Sequence, residues 1–96
     1  MDILEKAIEK YGEKQLDQAQ EELAELIVAI SKYKRAAANN SNKEMTITNI
    51  IEEIADVRIM LKQVMMLLDI KEFEVKSEEI YKLNRLKERM LKDEPV

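Results

Sequence analysis

Gln20-Glu21-Glu22-Leu23-Ala24-Glu25-Leu26 and, further along, Glu52-Glu53-Ile54-Ala55-Asp56-Val57 decide how this chain reads. Each stretch sets carboxylates three residues apart inside an apolar pattern of helical period. On a helix that spacing puts both acids on one face, one turn apart. Two such helices facing each other gather four carboxylates around one point. Like charges so close do not all stay ionised unless cations sit among them. A divalent metal answers that need, and an oxygen-only ligand set favours magnesium, with manganese as a substitute.

Outward from these stretches the pattern stays helical. Asp2 is placed to cap a first helix from Ile3 to about Tyr11, with Leu4, Ala7, Ile8 and Tyr11 on one stripe and Gly12 as a left-handed C-cap. A second helix is predicted from about Glu13 to Ala37. Its seam is Leu16, Ala19, Leu23, Leu26, Ile30, Tyr33 and Ala37, with Glu22 at the edge and Glu25 further round. Asn39 to Asn42 read as a polar turn within a loop of about ten residues, so the neighbouring helices run antiparallel.

The third helix is expected to begin near Thr46 to Asn49. There Asn49 and Glu52 have the form of a capping box, which turns Glu52 away from the other acids, and Thr46 and Thr48 are alternative caps. The helix runs to about Leu68. Ile50, Ile54, Val57, Leu61, Val64, Met65 and Leu68 form its main stripe, and Ile51, Ala55, Ile59 and Met66 spread apolar character round the rest. A helix apolar nearly all round needs cover from several directions. Glu53 interrupts the column Ile50, Val57, Met60, Val64, where an unpartnered carboxylate would cost several kcal/mol if buried. Asp69 to Lys76 read as a connection, with Phe73 and Val75 in a short extended piece. Ser77 is placed to cap a last helix whose Ile80, Leu83, Leu86 and Met90 face inward, and Pro95 marks its frayed end.

Composition narrows the function. With 96 residues, one glycine and one proline, the chain reads as a single all-α domain over 1–96: a bundle of about four helices, completed by association into a homo-oligomer, dimer or tetramer. A net charge of −4 argues against a nucleic-acid partner. The absence of cysteine and histidine removes disulfides, thiolate and imidazole zinc sites, and Ser-His-Asp triads. No apolar run is long enough for a membrane span, and the acidic N-terminus is unlike a signal peptide, so a cytoplasmic protein is expected.

A chain with 38% charged residues holds acidic triplets by chance, and helix acids are most often a solvated face. Three features point past that reading. Glu22 and Glu53 stand at the edge of apolar seams, their helices are sequential neighbours, and a basic face follows at Lys82, Arg85 and Arg89. That basic face reads equally well as phosphate contacts or as cations favouring a helix C-terminus. Lys32, Lys34 and Arg35 read as solvated surface, and Met60, Met65 and Met66 as core filler.

Glu21-Glu22-x-x-Glu25 followed by Glu53-x-x-Asp56, in this apolar frame and with the final Lys82-Leu83-Asn84-Arg85-Leu86-Lys87-Glu88-Arg89, resembles the MazG-like all-α nucleotide pyrophosphohydrolases. The resemblance extends from about Tyr11 to Arg89. It implies Mg²⁺-dependent hydrolysis of a nucleoside triphosphate to monophosphate and pyrophosphate, a nucleotide-pool house-cleaning activity. Carried over by position, Glu22, Glu25, Glu53 and Asp56 would be the metal ligands. Glu21 would be an auxiliary ligand or would orient the attacking water, and Lys82 and Arg85 would meet phosphate. Two other readings stand beside this one: a non-catalytic helical interaction module, and a hydrolase of another diphosphate-containing substrate.

Overall fold

The computed structural model describes residues 2–93, all of whose regular elements are helices: α1 (Ile3–Tyr11), α2 (Lys14–Ala38), α3 (Lys43–Leu67) and α4 (Glu72–Asp93). Pro95 lies outside the described residues. The four-helix, all-α architecture matches the sequence pattern.

The helix ends explain the boundaries. Asp2 caps α1, its Oδ1 accepting from the Glu5 N–H at 2.8 Å. Gly12 has φ 60 and ψ −140. The positive φ agrees with the expected glycine role, but the ψ is not that of a left-handed helical cap. The backbone reverses here and α2 starts at once, with the Gln15 N–H donating to the Gly12 carbonyl at 3.0 Å. A side chain at position 12 would meet nothing within 4 Å, so the backbone conformation alone requires glycine.

α2 and α3 end in Schellman motifs built without glycine. Asn40 (φ 51) and Asp69 (φ 53) hold the left-handed position. Behind them the Ser41 and Ile70 N–H groups donate to the Ala36 and Met65 carbonyls, each at 2.9 Å.

Two boundaries differ from those the sequence suggested. α3 starts at Lys43, capped by Asn42, whose Oδ1 accepts from the Met45 N–H at 3.3 Å. Thr46 and Thr48 do not cap. Their hydroxyls donate to the Lys43 and Glu44 carbonyls inside the helix. Asn49 and Glu52 therefore lie within α3, not at its start. α4 begins at Glu72, so Phe73 and Val75 are helical rather than extended, and Ser77 is interior. Glu74 supplies the start signal, its Oε1 accepting from the Lys71 N–H at 2.9 Å as half of a capping box.

α2 and α3 pack antiparallel along their length, and α1 lies against both. Three small residues of α2, Ala19, Ala29 and Ala36, are buried and let α3 approach closely. The α2 seam runs Gln15, Ala19, Glu22, Leu26, Ala29, Tyr33, Ala36, rotated from the expected one, so that Leu23 and Ile30 face outward. The α3 seam is the column that Glu53 interrupts: Ile50, Glu53, Val57, Met60, with buried Gln63 beside Val64. Ile54, Leu61 and Leu68 of the expected main stripe are exposed. Gln15 Nε2 donates to Gln63 Oε1 at 2.7 Å and fixes the register of the two helices at one end.

α4 packs against none of the other three helices. Ile80, Leu83, Leu86 and Met90, expected to face inward, are all exposed. The chain is accordingly extended, with a radius of gyration of 17.6 Å and extents of 52 × 37 × 19 Å. A compact chain of this length has a radius nearer 12–13 Å, on the order of 2.2·N^0.38. No helix among the described residues is long and apolar enough to cross a membrane.

Candidate metal centre

Because both seams advance in steps of three and four, Glu22 falls on the α2 seam and Glu53 on the α3 seam. Antiparallel packing brings them face to face, and Asp56, one turn beyond Glu53, joins them at the exposed rim. One carboxylate oxygen from each of Glu22, Glu53 and Asp56 lies within 4.8 Å of the others. Ligand oxygens on opposite sides of a magnesium ion stand about 4.2 Å apart. The trio is therefore a small side-chain adjustment from binding distance.

The electrostatics are unresolved by the protein itself. Glu22 Oε1 accepts from Gln18 Nε2 at 2.9 Å, but Glu22 Oε2 is buried with no hydrogen-bond partner. Glu53 Oε2 is in the same condition. Burial pushes the Glu22 carboxyl above its ordinary range. The Gln18 amide opposes that push, and the charges of Glu25, Asp56 and Glu21 add to it. Burial also raises Glu53, reinforced by Glu25, Glu22, Asp56 and Glu52. Among the described residues no cation pairs with these acids. Among the described residues the one ion pair is Lys71 with Asp69, at the start of α4. Two inward-facing carboxylates with unmatched oxygens and no ammonium or guanidinium partner have the donor chemistry of a hard divalent cation site.

The other candidate residues take different places. Glu25 is exposed and outside the trio, yet close enough that its charge raises both Glu22 and Glu53. Glu21 is exposed, and its charge acts on Glu22. Lys82 and Arg85 lie on α4, far from any helix contact, along an open groove that also carries Arg89 and Lys92. Arg85 stands over the Tyr81 ring, 5.9 Å from its centroid. Within the chain α4 does not bring them to the acids.

Sequence reasoning missed one contact of the acids, and it read two residues of a neighbouring cleft as surface and as a helix cap. Gln18, four residues before Glu22 on the same face, orients that carboxylate, and the spacing itself was the signal. Lys32 and Asn49 line a cleft of about 270 Å³ between α2 and α3, together with Glu25, Val28, Glu52 and Glu53. Lys32 was legible as the same stripe as Glu25, two turns on. Asn49 was legible as either a polar group facing a ligand or a helix cap, and the start of α3 at Lys43 removes the cap.

No protein-family model, no curated protein and no solved structure matches this chain.

Proposed function

We propose that this protein is a Mg²⁺-dependent nucleotide pyrophosphohydrolase that cleaves nucleoside triphosphates to monophosphate and pyrophosphate. The observation that carries the proposal is the pair of buried, unpartnered carboxylate oxygens on Glu22 and Glu53, with Asp56 beside them. The resemblance of the acidic signature to MazG-like enzymes supplies the reaction class.

Glu22, Glu53 and Asp56 would hold the cation, with Glu25 at the rim as a further ligand. The chemistry that Mg²⁺, or Mn²⁺ in its place, would supply there is neutralisation of phosphate charge for in-line displacement. A water oxygen attacks the α-phosphorus, the bond from that phosphorus to the bridging oxygen breaks, and pyrophosphate leaves. Glu21 orients that water or acts as an auxiliary ligand, and a carboxylate of the cluster takes its proton.

The same reading includes a homo-oligomer, dimer or tetramer. The exposed apolar residues of α4, Phe73, Ile80, Leu83 and Met90 among them, support cover by a second copy. Lys82 and Arg85 meet phosphate only in an assembly that carries α4 onto an acidic cluster. The exposed α4 also favours a second reading, a non-catalytic helical interaction module, in which the acids bind no metal.

Pyrophosphate release from a panel of nucleotides with Mg²⁺, run beside Glu53→Gln, tests the proposal. Release by the wild type and its loss in the variant support it, and activity surviving the substitution sinks it.

A further inference from the structure

The cleft between α2 and α3 shares Glu25 and Glu53 with the neighbourhood of the metal centre and extends away from it to Lys32 and Asn49. Lys32 is the one cation on its walls. Seven residues separate it from Glu25 along α2, two turns on the same stripe, or about 10 Å along the axis. Side chains on a helix lean toward its N-terminus, so the Lys32 stem leans back toward Glu25 and the acids. Three carboxylates line this cleft, yet Lys32 forms an ion pair with none of them. Asn49 stands on the facing wall, one turn before Glu52 and Glu53, with amide donors but no charge.

The cleft is thus polarised along its length. At one end are oxygens that call for a divalent cation; at the other are an unpaired ammonium and a side-chain amide. A chain of phosphates fits that order, with its scissile anhydride at the acids and its terminal phosphate at the ammonium. The basic residues of α4 do not compete for this role within the protomer, because α4 touches no other helix.

We infer that Lys32, with Asn49 opposite, binds the pyrophosphate end of the substrate, the leaving group, in the α2–α3 cleft. The inference rests on the hydrolase reading above. Lys32 matches the charge that gathers on pyrophosphate as the bond to the α-phosphorus breaks, and it holds that product until release. The nucleoside monophosphate lacks those two phosphates and makes no contact with Lys32.

The test uses the full chain as wild type, Lys32→Gln, Lys32→Arg and Glu53→Gln. Mn²⁺ binding is followed by electron paramagnetic resonance. Binding of inorganic pyrophosphate in Mg²⁺ is followed by calorimetry, and inhibition of turnover by pyrophosphate and by nucleoside monophosphate is measured separately. Lys32→Gln should keep wild-type Mn²⁺ affinity and weaken pyrophosphate binding and inhibition by about tenfold or more, the worth of one charge-assisted hydrogen bond. Inhibition by the monophosphate should not move, and Lys32→Arg should restore most of the pyrophosphate affinity. Unchanged pyrophosphate binding in Lys32→Gln overturns the inference, as does an equal loss for both products. Failure of the hydrolase reading shows elsewhere, in a wild type that takes no Mn²⁺ and binds no pyrophosphate, or in a Glu53→Gln that still turns over; the inference falls with it.

Discussion

Glu22 and Glu53 face each other across the α2–α3 seam, each with one carboxylate oxygen buried and bonded to nothing, and with oxygens within 4.8 Å of one another and of Asp56. A fold that keeps two like charges in such a place is under electrostatic load until protons or a cation relieve it.

The load has a sign in pH. Burial and like charges raise both carboxyls above 4.5, their ordinary value, in the folded chain. The protonated forms are therefore favoured by folding. The stability they contribute is complete below the unfolded value and is lost as pH rises through the raised folded values. We expect the metal-free protein to melt at a higher temperature near pH 5 than at pH 7, and Mg²⁺ at pH 7 to recover the difference. Calorimetric melts with and without chelator check this. A metal-free Tm that falls on acidification over that range contradicts it.

Glu53→Gln separates the two ways of relieving the load. It removes one charge, so the metal-free protein should melt higher than the wild type at pH 7. The same change removes a ligand and should cost Mn²⁺ affinity at least about 100-fold, more than loss of an outer-shell partner does. Titration with Mn²⁺ beside metal-free melts measures both. A variant that is less stable without metal would mean that Glu53 has a partner in the fold.

Gly12 joins α1 to α2 with φ 60 and ψ −140, and a Cβ there would meet nothing within 4 Å. Gly12→Ala should destabilise by about 1–3 kcal/mol through backbone strain alone, with no loss of packing. Urea denaturation reads the change. An unaltered midpoint would mean that the α1–α2 turn has an easy alternative conformation.

Gln63 is 3% exposed, accepts from Gln15 Nε2 at 2.7 Å and donates to Met60 Sδ at 3.5 Å. Gln63→Ala leaves the Gln15 amide without its acceptor and should cost about 1–3 kcal/mol. Replacing both glutamines by leucine removes donor and acceptor together and should cost less than the single change. A double-mutant cycle in urea measures the coupling, and simple additivity would mean that the hydrogen bond contributes nothing.

Much of the fold was legible because helical period and capping are local. Asp2, the span of α1, the positive φ of Gly12 and the placing of Glu53 in the column Ile50, Val57, Met60, Val64 all come from spacing. The starts of α3 and α4 were not, because competing caps lie close together. Thr46, Thr48, Asn49 and Ser77 all have the right side chains, and only the geometry selects Asn42 and Glu74. The α2 seam was misjudged for another reason. Alanines at 29 and 36 count little in a hydrophobic pattern, yet with Ala19, which the expected seam already held, they bring the helices together, and with them Glu22 comes inside. The exposure of α4 was hidden too, since an amphipathic stripe reads the same whether its cover lies in its own chain or elsewhere.

The central claim, that this acidic seam is a divalent metal centre for cleaving nucleotide anhydrides, meets its most direct test in one assay. Wild type and Glu53→Gln are incubated with each common nucleoside triphosphate and Mg²⁺, and pyrophosphate and monophosphate are quantified together. We expect the wild type to release the two products in equal amounts from at least one nucleotide, to stop when the metal is chelated, and to lose about 100-fold or more of its rate with Glu53→Gln. A wild type that releases no pyrophosphate from any of them, or a Glu53→Gln that keeps the activity, would contradict the claim.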